Sequence, residues 1–137
     1  MMQKPLPRPT PDTRAFWDAC VRHQLTFQQC KGCGHVQTYP RAHCEACQGR
    51  ELTMQPSAGL GRIVTHTTVH RPPTAAFKGD LPYVIAIVRL EEGFQLMVNL
   101  LNAREREASI GAQVRIVFQR VLRDDGSEIT LPQGELL

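Results

Sequence analysis

The sequence predicts a mainly β protein with three parts: an N-terminal helix, a rubredoxin-like zinc ribbon and a five-stranded barrel of the OB class. Three observations lead there. Two Cys-x-x-Cys pairs, Cys30/Cys33 and Cys44/Cys47, are separated by the ten residues 34–43. From residue 60 onward, period-two alternation recurs in five short runs bounded by turn residues. No long helical pattern interrupts those runs, which suits a small closed Greek-key barrel.

The elements follow in order. Residues 1–11 carry Pro5, Pro7, Pro9 and Pro11 and read as an extended arm, since proline fixes φ and lacks a donor. Asp12 or Thr13 can cap a helix running to about Gln24. Phe16, Trp17, Cys20, Val21 and Leu25 fall on one side of it. That face packs either on its own domain or on a partner protein, because the small zinc module beside it cannot cover a Phe-Trp surface alone. Arm and helix together make up residues 1–25, the ribbon 26–52 and the barrel 53–137.

Within the ribbon, residues 25–29 enter as a strand and residues 36–39 leave as another, which Pro40 ends. Four thiolates fill a tetrahedral zinc at about 2.3 Å and leave no open position, so the site is structural and not catalytic. Gly34 and Gly49 follow the two pairs as turn residues. Two disulfides or a redox dithiol are the bland alternatives. A redox Cys-x-x-Cys comes singly, on a βαβ pattern absent here. One zinc per chain, on Cys30, Cys33, Cys44 and Cys47, is the expectation. His35 and His43 flank the site as exposed or supporting residues, and Cys20 is a small apolar residue of the helix. So small a unit folds on the free energy of metal binding.

In the barrel, Ile63, Thr65, Thr67 and Val69 alternate with Arg62, Val64, His66 and Thr68. Residues 83–90 form a nearly continuous apolar run, as in a strand covered on both faces. Glu91-Glu92-Gly93 is a hairpin turn, after which Phe94, Leu96, Val98 and Leu100 alternate again. Val114, Ile116 and Phe118 mark a fourth strand continuing towards Leu122. Asp124-Asp125-Gly126-Ser127 is a turn, and Ile129 to Leu131 a short fifth strand. Residues 102–110 suit a short helix or a polar loop.

Composition bounds the function modestly. Hydrophobic residues make up 42% and charged residues 21% of 137, ordinary for a globular protein. Residues 1–52 hold seven Lys/Arg and four Asp/Glu, and residues 53–137 nine of each, so the formal +3 lies in the first part. A four-thiolate zinc site changes the total by about −2. A nearly neutral protein with no basic domain is poorly suited to a phosphate backbone. Neither a membrane span nor the apolar core of a signal peptide is visible, and reduced cysteines suit the cytoplasm.

Residues 70–82, between the first two barrel strands, form a long loop, and long loops in compact domains are commonly functional. Pro72, Pro73 and Pro82 stiffen it, Arg71 and Lys78 charge it, and Phe77 adds an aromatic. That combination suits an anionic ligand with a flat or apolar part; the alternative is a solvated loop with incidental charges. No catalytic constellation appears. His66 and His70 would lie about 13 Å apart on a strand, and no Gly-x-Ser-x-Gly elbow is present.

Several of these residues together resemble a known family, the zinc-ribbon/OB-fold proteins long catalogued as a domain of unknown function and associated with acyl-CoA metabolism. The resemblance rests on Phe16-Trp17, Cys30 to Gly34, Pro40-Arg41, Cys44 to Cys47, and Gly61 to Val64. It continues through Val69 to Pro73, Phe77, Leu81 to Val84, and Ile110-Gly111. It implies a non-catalytic accessory subunit of a thiolase-superfamily enzyme: a thiolase, acyltransferase or aldolase. Helix and ribbon, with Phe16 and Trp17, would dock on the partner. The barrel would sit near the coenzyme A entrance, where His70, Arg71, Phe77 and Lys78 are the candidate CoA contacts. The alternatives are a nucleic-acid-binding module and a stand-alone CoA-ester hydrolase. The first lacks interleaved aromatics and a basic groove, and the second lacks a visible nucleophile.

Overall fold

The computed structural model describes residues 4–137. Two sheets share one core. The ribbon sheet has the order β2-β1-β3, from β1 (Thr26–Cys30), β2 (Val36–Gln37) and β3 (Leu52–Pro56). The larger sheet has the order β6-β5-β4-β7-β8, from β4 (Leu60–Val69), β5 (Tyr83–Leu90), β6 (Gln95–Asn99), β7 (Gln113–Leu122) and β8 (Glu128–Leu136). Its neighbouring strands are antiparallel. A parallel bridge from Leu100 to Gly134 joins its two edges. The order and the parallel closure are those of an OB barrel.

The helix α1 spans Arg14–Val21 and stops short of the expected Gln24. His23 takes a left-handed φ of 58° and turns the chain into β1. Thr13 is the N-cap residue, but its hydroxyl caps no helical N–H; it accepts from Thr10 N at 2.9 Å. Val21, placed on the apolar face by spacing, is 65% exposed in the last turn. The arm expected over residues 1–11 lies against the barrel from Lys4 onward, and residues 1–3 fall outside the described residues. Arg123 donates to the Pro7 carbonyl at 2.6 Å, and Leu6 packs on the core.

The question left open for the Phe-Trp face is answered by burial. Phe16 is fully buried and Trp17 nearly so. Phe16 meets Trp17 edge-on at 5.0 Å and Tyr39 of the ribbon at 4.9 Å. The helix also packs on β8 and β7. The side chains expected to meet a partner are therefore turned into the chain's own core. Burying a Phe is favourable by about 1.5–3 kcal/mol, a strong reason not to leave it in water. Across the same junction Phe27 of β1 stacks on Phe94 at 4.8 Å.

Two strands exceed expectation. Nothing singled out β3, yet it pairs along the whole of β1, from Thr26–Pro56 to Cys30–Leu52. β8 runs well past Leu131, through Pro132 and Gly134. Gly134 suits the closure, because a Cβ there would come within 2.9 Å of both Leu100 and Val98 side chains and force them to shift. The alternation in β4 is broken by a bulge: Ile63 pairs with Val88, and Thr65 with the next residue, Ile87. On β5 the expected two-faced cover is uneven: Ala86, Val88 and Leu90 are buried, Arg89 is exposed, and Ile85 and Ile87 are half-buried. Residues 101–106 form turns and no helix.

Candidate functional site

The ribbon cysteines come from two matching knuckles. In the first, Gly34 N donates to Cys30 O at 2.9 Å and Cys30 N to His35 O at 2.9 Å. In the second, Gln48 N donates to Cys44 O at 2.9 Å and Cys44 N to Gly49 O at 2.8 Å. Each loop turns through a left-handed residue: Gly34 at φ 79° and Gln48 at φ 66°. The second turn residue is thus Gln48, not the expected Gly49. Gly49 serves by its small size, since a Cβ there would lie 3.1 Å from Cys47 Sγ.

These knuckles bring the Sγ atoms of Cys30, Cys33, Cys44 and Cys47 within 4.8 Å of one another. Cys30 and Cys47 are 3.7 Å apart, and Cys33 and Cys44 3.6 Å. Four sulfurs held tetrahedrally at about 2.3 Å from one ion would be separated by about 3.8 Å. The four fit one structural zinc. Backbone N–H groups support the sulfurs: Ala46 N lies 3.4 Å from Cys44 Sγ and Gly49 N 3.4 Å from Cys47 Sγ. A hydrogen bond from Cys33 N–H leads the effects that draw the Cys30 thiol down to about 7. Cys33 feels a lowering hydrogen bond from His35, yet desolvation and the three neighbouring sulfurs push it up to about 12. Four thiols this close cannot all ionise without a cation among them.

A buried amide pair holds the second knuckle loop to the sheet. Gln37 and Gln28 are both buried and joined at 2.7 Å. Gln28 accepts from Arg41 N and donates to Arg41 O. Gln37 accepts from Glu45 N and donates to His43 O. Sequence reading missed this pair; two glutamines one strand apart beside a Cys-x-x-Cys loop were the available signal. His35 and His43 are not ligands. His35 Nε2 meets Glu45 Oε1 at 2.8 Å, and His43 Nε2 accepts from Arg50 at 3.2 Å. Cys20 is fully buried in α1, and burial pushes its thiol up to about 12.

The long loop contains a short 3-10 turn, Ala75–Asp80. His70, Arg71 and Lys78 are exposed. Phe77 is half-buried, with Tyr83 at 5.9 Å on one side and Lys4 Nζ 5.5 Å from its centroid. Lys4 also pairs with Asp80 of the same turn. The N-terminal arm therefore braces the loop, and its aromatic is less free than the sequence implied. His66 is exposed in the outer half of β4.

Comparison with known proteins follows the same two-part division. Residues 17–53 match the rubredoxin-like zinc ribbon domain of ChsH2, and residues 54–119 the ChsH2 C-terminal OB-fold domain. The chain belongs to the ChsH2 zinc-ribbon/OB-fold family. It is 33% identical over 113 residues to a DUF35 domain-containing scaffold protein of Methanothermobacter thermautotrophicus, covering 82% of this chain and 84% of that protein. It is also 33% identical over 128 residues to a probable enoyl-CoA hydratase alpha subunit of Thermomonospora curvata. There 92% of this chain aligns with 38% of the relative, which extends well beyond the shared part. Among solved structures, the Ltp2-ChsH2(DUF35) aldolase superimposes with a TM-score of 0.74 at 27% identity, covering 96% of this chain and 98% of that one. A DUF35 protein of Sulfolobus solfataricus gives 0.66 at 15% identity, covering 93% and 86%, and shares the fold. Among the described residues, no helix is long and apolar enough to cross a membrane.

Proposed function

We propose that this chain is a non-catalytic accessory subunit of a thiolase-superfamily enzyme. It docks through the ribbon and the outer surface of the helix, and helps bind or gate an acyl-CoA. The observation that carries the reading is the near-complete likeness to the chain of the Ltp2-ChsH2(DUF35) aldolase. The relatives described as scaffold proteins and as an enoyl-CoA hydratase subunit support it. The chemistry agrees. Four cysteines close the metal site, so a zinc there offers no open position to a substrate. The ribbon is a rigid module whose fold is tied to its metal.

The test is reconstitution. The zinc-loaded chain alone should not turn over acyl-CoA esters. Co-expressed with a thiolase-fold protein from its own operon or genome, it should co-purify and raise that protein's activity. Turnover by the chain alone, or a thiolase-fold enzyme fully active without it, defeats the reading.

A further inference from the structure

We propose that the outer half of β4 is an open pairing edge that takes the same segment of a second copy of this chain, antiparallel, with Thr67 facing Thr67 across the two-fold axis. β4 pairs with β7 only through Leu60, Gly61 and Arg62. The last bonds on that side are Gly111 N to Ile63 O at 2.8 Å and Ile63 N to Ala112 O at 3.0 Å. A bulge between Ile63 and Thr65 then carries the strand clear, a recurring way to end pairing. From Thr65 to Val69 the strand pairs with β5 alone. Among the described residues, no other backbone hydrogen bond reaches residues 64–69. Which groups are open follows from β5. The Val84 carbonyl accepts from Leu100 N at 2.9 Å, on the side away from β4. Val84 is the residue opposite Thr68. In an antiparallel ladder, opposed residues either exchange both bonds or both turn away. Thr68 therefore turns its N–H and C=O to the open side, and so does His66 two residues earlier.

Open strand edges are normally guarded by lysine, proline or an inward charge. Residues 64–69 read Val-Thr-His-Thr-Thr-Val, with none of these and five β-branched residues of six. Residues 64–68 are all exposed, so nothing in the chain covers either side of the edge. The edge also lies away from the ribbon: Glu92 and Gln95, which bond to Ser57 and Thr38, sit beyond the opposite end of β5. A second copy is the occupant because the segment is its own complement. Centred on Thr67, His66 of one copy meets Thr68 of the other, and each such pair exchanges two backbone bonds. On the outer face Thr67 meets Thr67, a favourable cross-strand pair, and no like charges oppose. Thr65 meets Val69, so β-branched side chains line the seam. A strand this short buries less than a standard interface, so the dimer forms and dissociates with concentration. Helix and ribbon take no part, and the pairing is independent of docking on an enzyme.

The test uses the zinc-loaded full chain. Sedimentation should show a monomer–dimer equilibrium that shifts with protein concentration, and the His66 and Thr68 amides should gain exchange protection as the dimer fills. Under mild oxidation Thr67→Cys should close a disulfide between copies. Thr65→Cys should not, because the two cysteines would lie about 13 Å apart along the seam, beyond disulfide reach. His66→Pro removes an N–H that faces the open side and not β5, so it should weaken the dimer by about tenfold or more with zinc content and melting unchanged. If that variant misfolds, Thr67→Lys decides in its place, since it sets like charges face to face and spares the backbone. A chain that stays monomeric at every concentration overturns the proposal. So does a dimer indifferent to both variants, or a Thr65→Cys disulfide as ready as that of Thr67→Cys. Protection of His66 and Thr68 that appears only with an enzyme partner bound would give the edge to that partner and overturn it too.

Discussion

Gln37 donates from Nε2 to Oε1 of Gln28 at 2.7 Å, and this pair ties the second zinc knuckle to the first strand of the ribbon. Between them the two amides satisfy Arg41 N, Arg41 O, His43 O and Glu45 N. Gln37→Met keeps the volume and removes the polar end. It should leave Glu45 N and His43 O without these partners, at a cost of about 1–3 kcal/mol. Metal binding and folding are coupled in such a module. The loss should therefore also appear as zinc affinity about 5- to 150-fold weaker in a chelator competition. Unchanged affinity and melting would mean the loop is held by its metal alone.

Gln48 stands where the first knuckle has Gly34, and pays the steric cost of a left-handed φ of 66°. That conformation is unfavourable by about 1–2 kcal/mol for a residue with a Cβ. Glycine removes the strain but loses more entropy on folding, about 0.5–1 kcal/mol. Gln48→Gly should therefore stabilise the zinc-loaded protein slightly, by up to about 1 kcal/mol in denaturant unfolding. Gly34→Gln should do the reverse. A destabilised Gln48→Gly would show that the side chain has a contact worth more than the strain.

Metal removal has a built-in reporter. Trp17 is the single tryptophan, and its ring lies 6.0 Å from Tyr39 of the ribbon. Chelation should loosen the knuckles, open the Phe16–Trp17–Tyr39 cluster and shift Trp17 emission to the red. The expected stoichiometry is one zinc per chain, and Cys44→Ser should reproduce the chelated spectrum. An emission spectrum indifferent to chelation would show that the helix holds its place without the ribbon.

Local chemistry made the metal site readable in advance: the ligands sit in two spaced pairs, and a tetrahedral ion needs little else. The barrel strands with strict alternation, such as Phe94 to Leu100, were readable for a similar reason. What escaped was set by tertiary contacts. β3 has no strong pattern of its own; it forms because β1 offers an open edge beside Cys30. The expected fifth strand ended at Leu131, yet β8 continues to Leu136, and at Gly134, where the barrel edges meet, a Cβ would crowd the Leu100 and Val98 side chains. The Phe-Trp face could not be assigned from spacing, because its cover comes from Tyr39 and from β7 and β8, distant in sequence.

Cys20 makes alkaline stability testable. Its thiol is raised from 9.0 to about 12 by burial. Below pH 9 it is protonated both folded and unfolded, and its contribution is fully present. Between 9 and 12 the unfolded chain releases the proton and the native one keeps it, so stability falls as pH rises. The slope for one proton is about 1.4 kcal/mol per pH unit. Cys20→Ala should lose less stability than the parent over this window, the difference isolating Cys20 from Tyr39, which burial also raises. Parallel stability curves for the two proteins would mean the thiol ionises freely in the native state.

The last prediction concerns the loop between β4 and β5. Coenzyme A presents phosphates on one end of a flexible arm, and a subunit guarding its entry needs cations that reach solvent. Arg71 and Lys78 do, and no ion pair within the described residues engages either. Arg71 can fork two oxygens of one phosphate, while Lys78 acts as a movable point charge. Phe77 is held between Tyr83 and Lys4, which leaves its ring less free to stack on a base. Arg71→Ala with Lys78→Ala should therefore raise KM for acyl-CoA in the assembled complex and leave kcat nearly unchanged, the pattern of lost uniform binding. Each wet charge-assisted contact accounts for less than the about 1.5–3 kcal/mol of a desolvated one, so a KM increase of roughly three- to thirtyfold is expected. Raised salt should weaken the parent more than the double variant. If instead the complex dissociates with KM unchanged in what remains, the loop is a docking element and the ligand assignment falls.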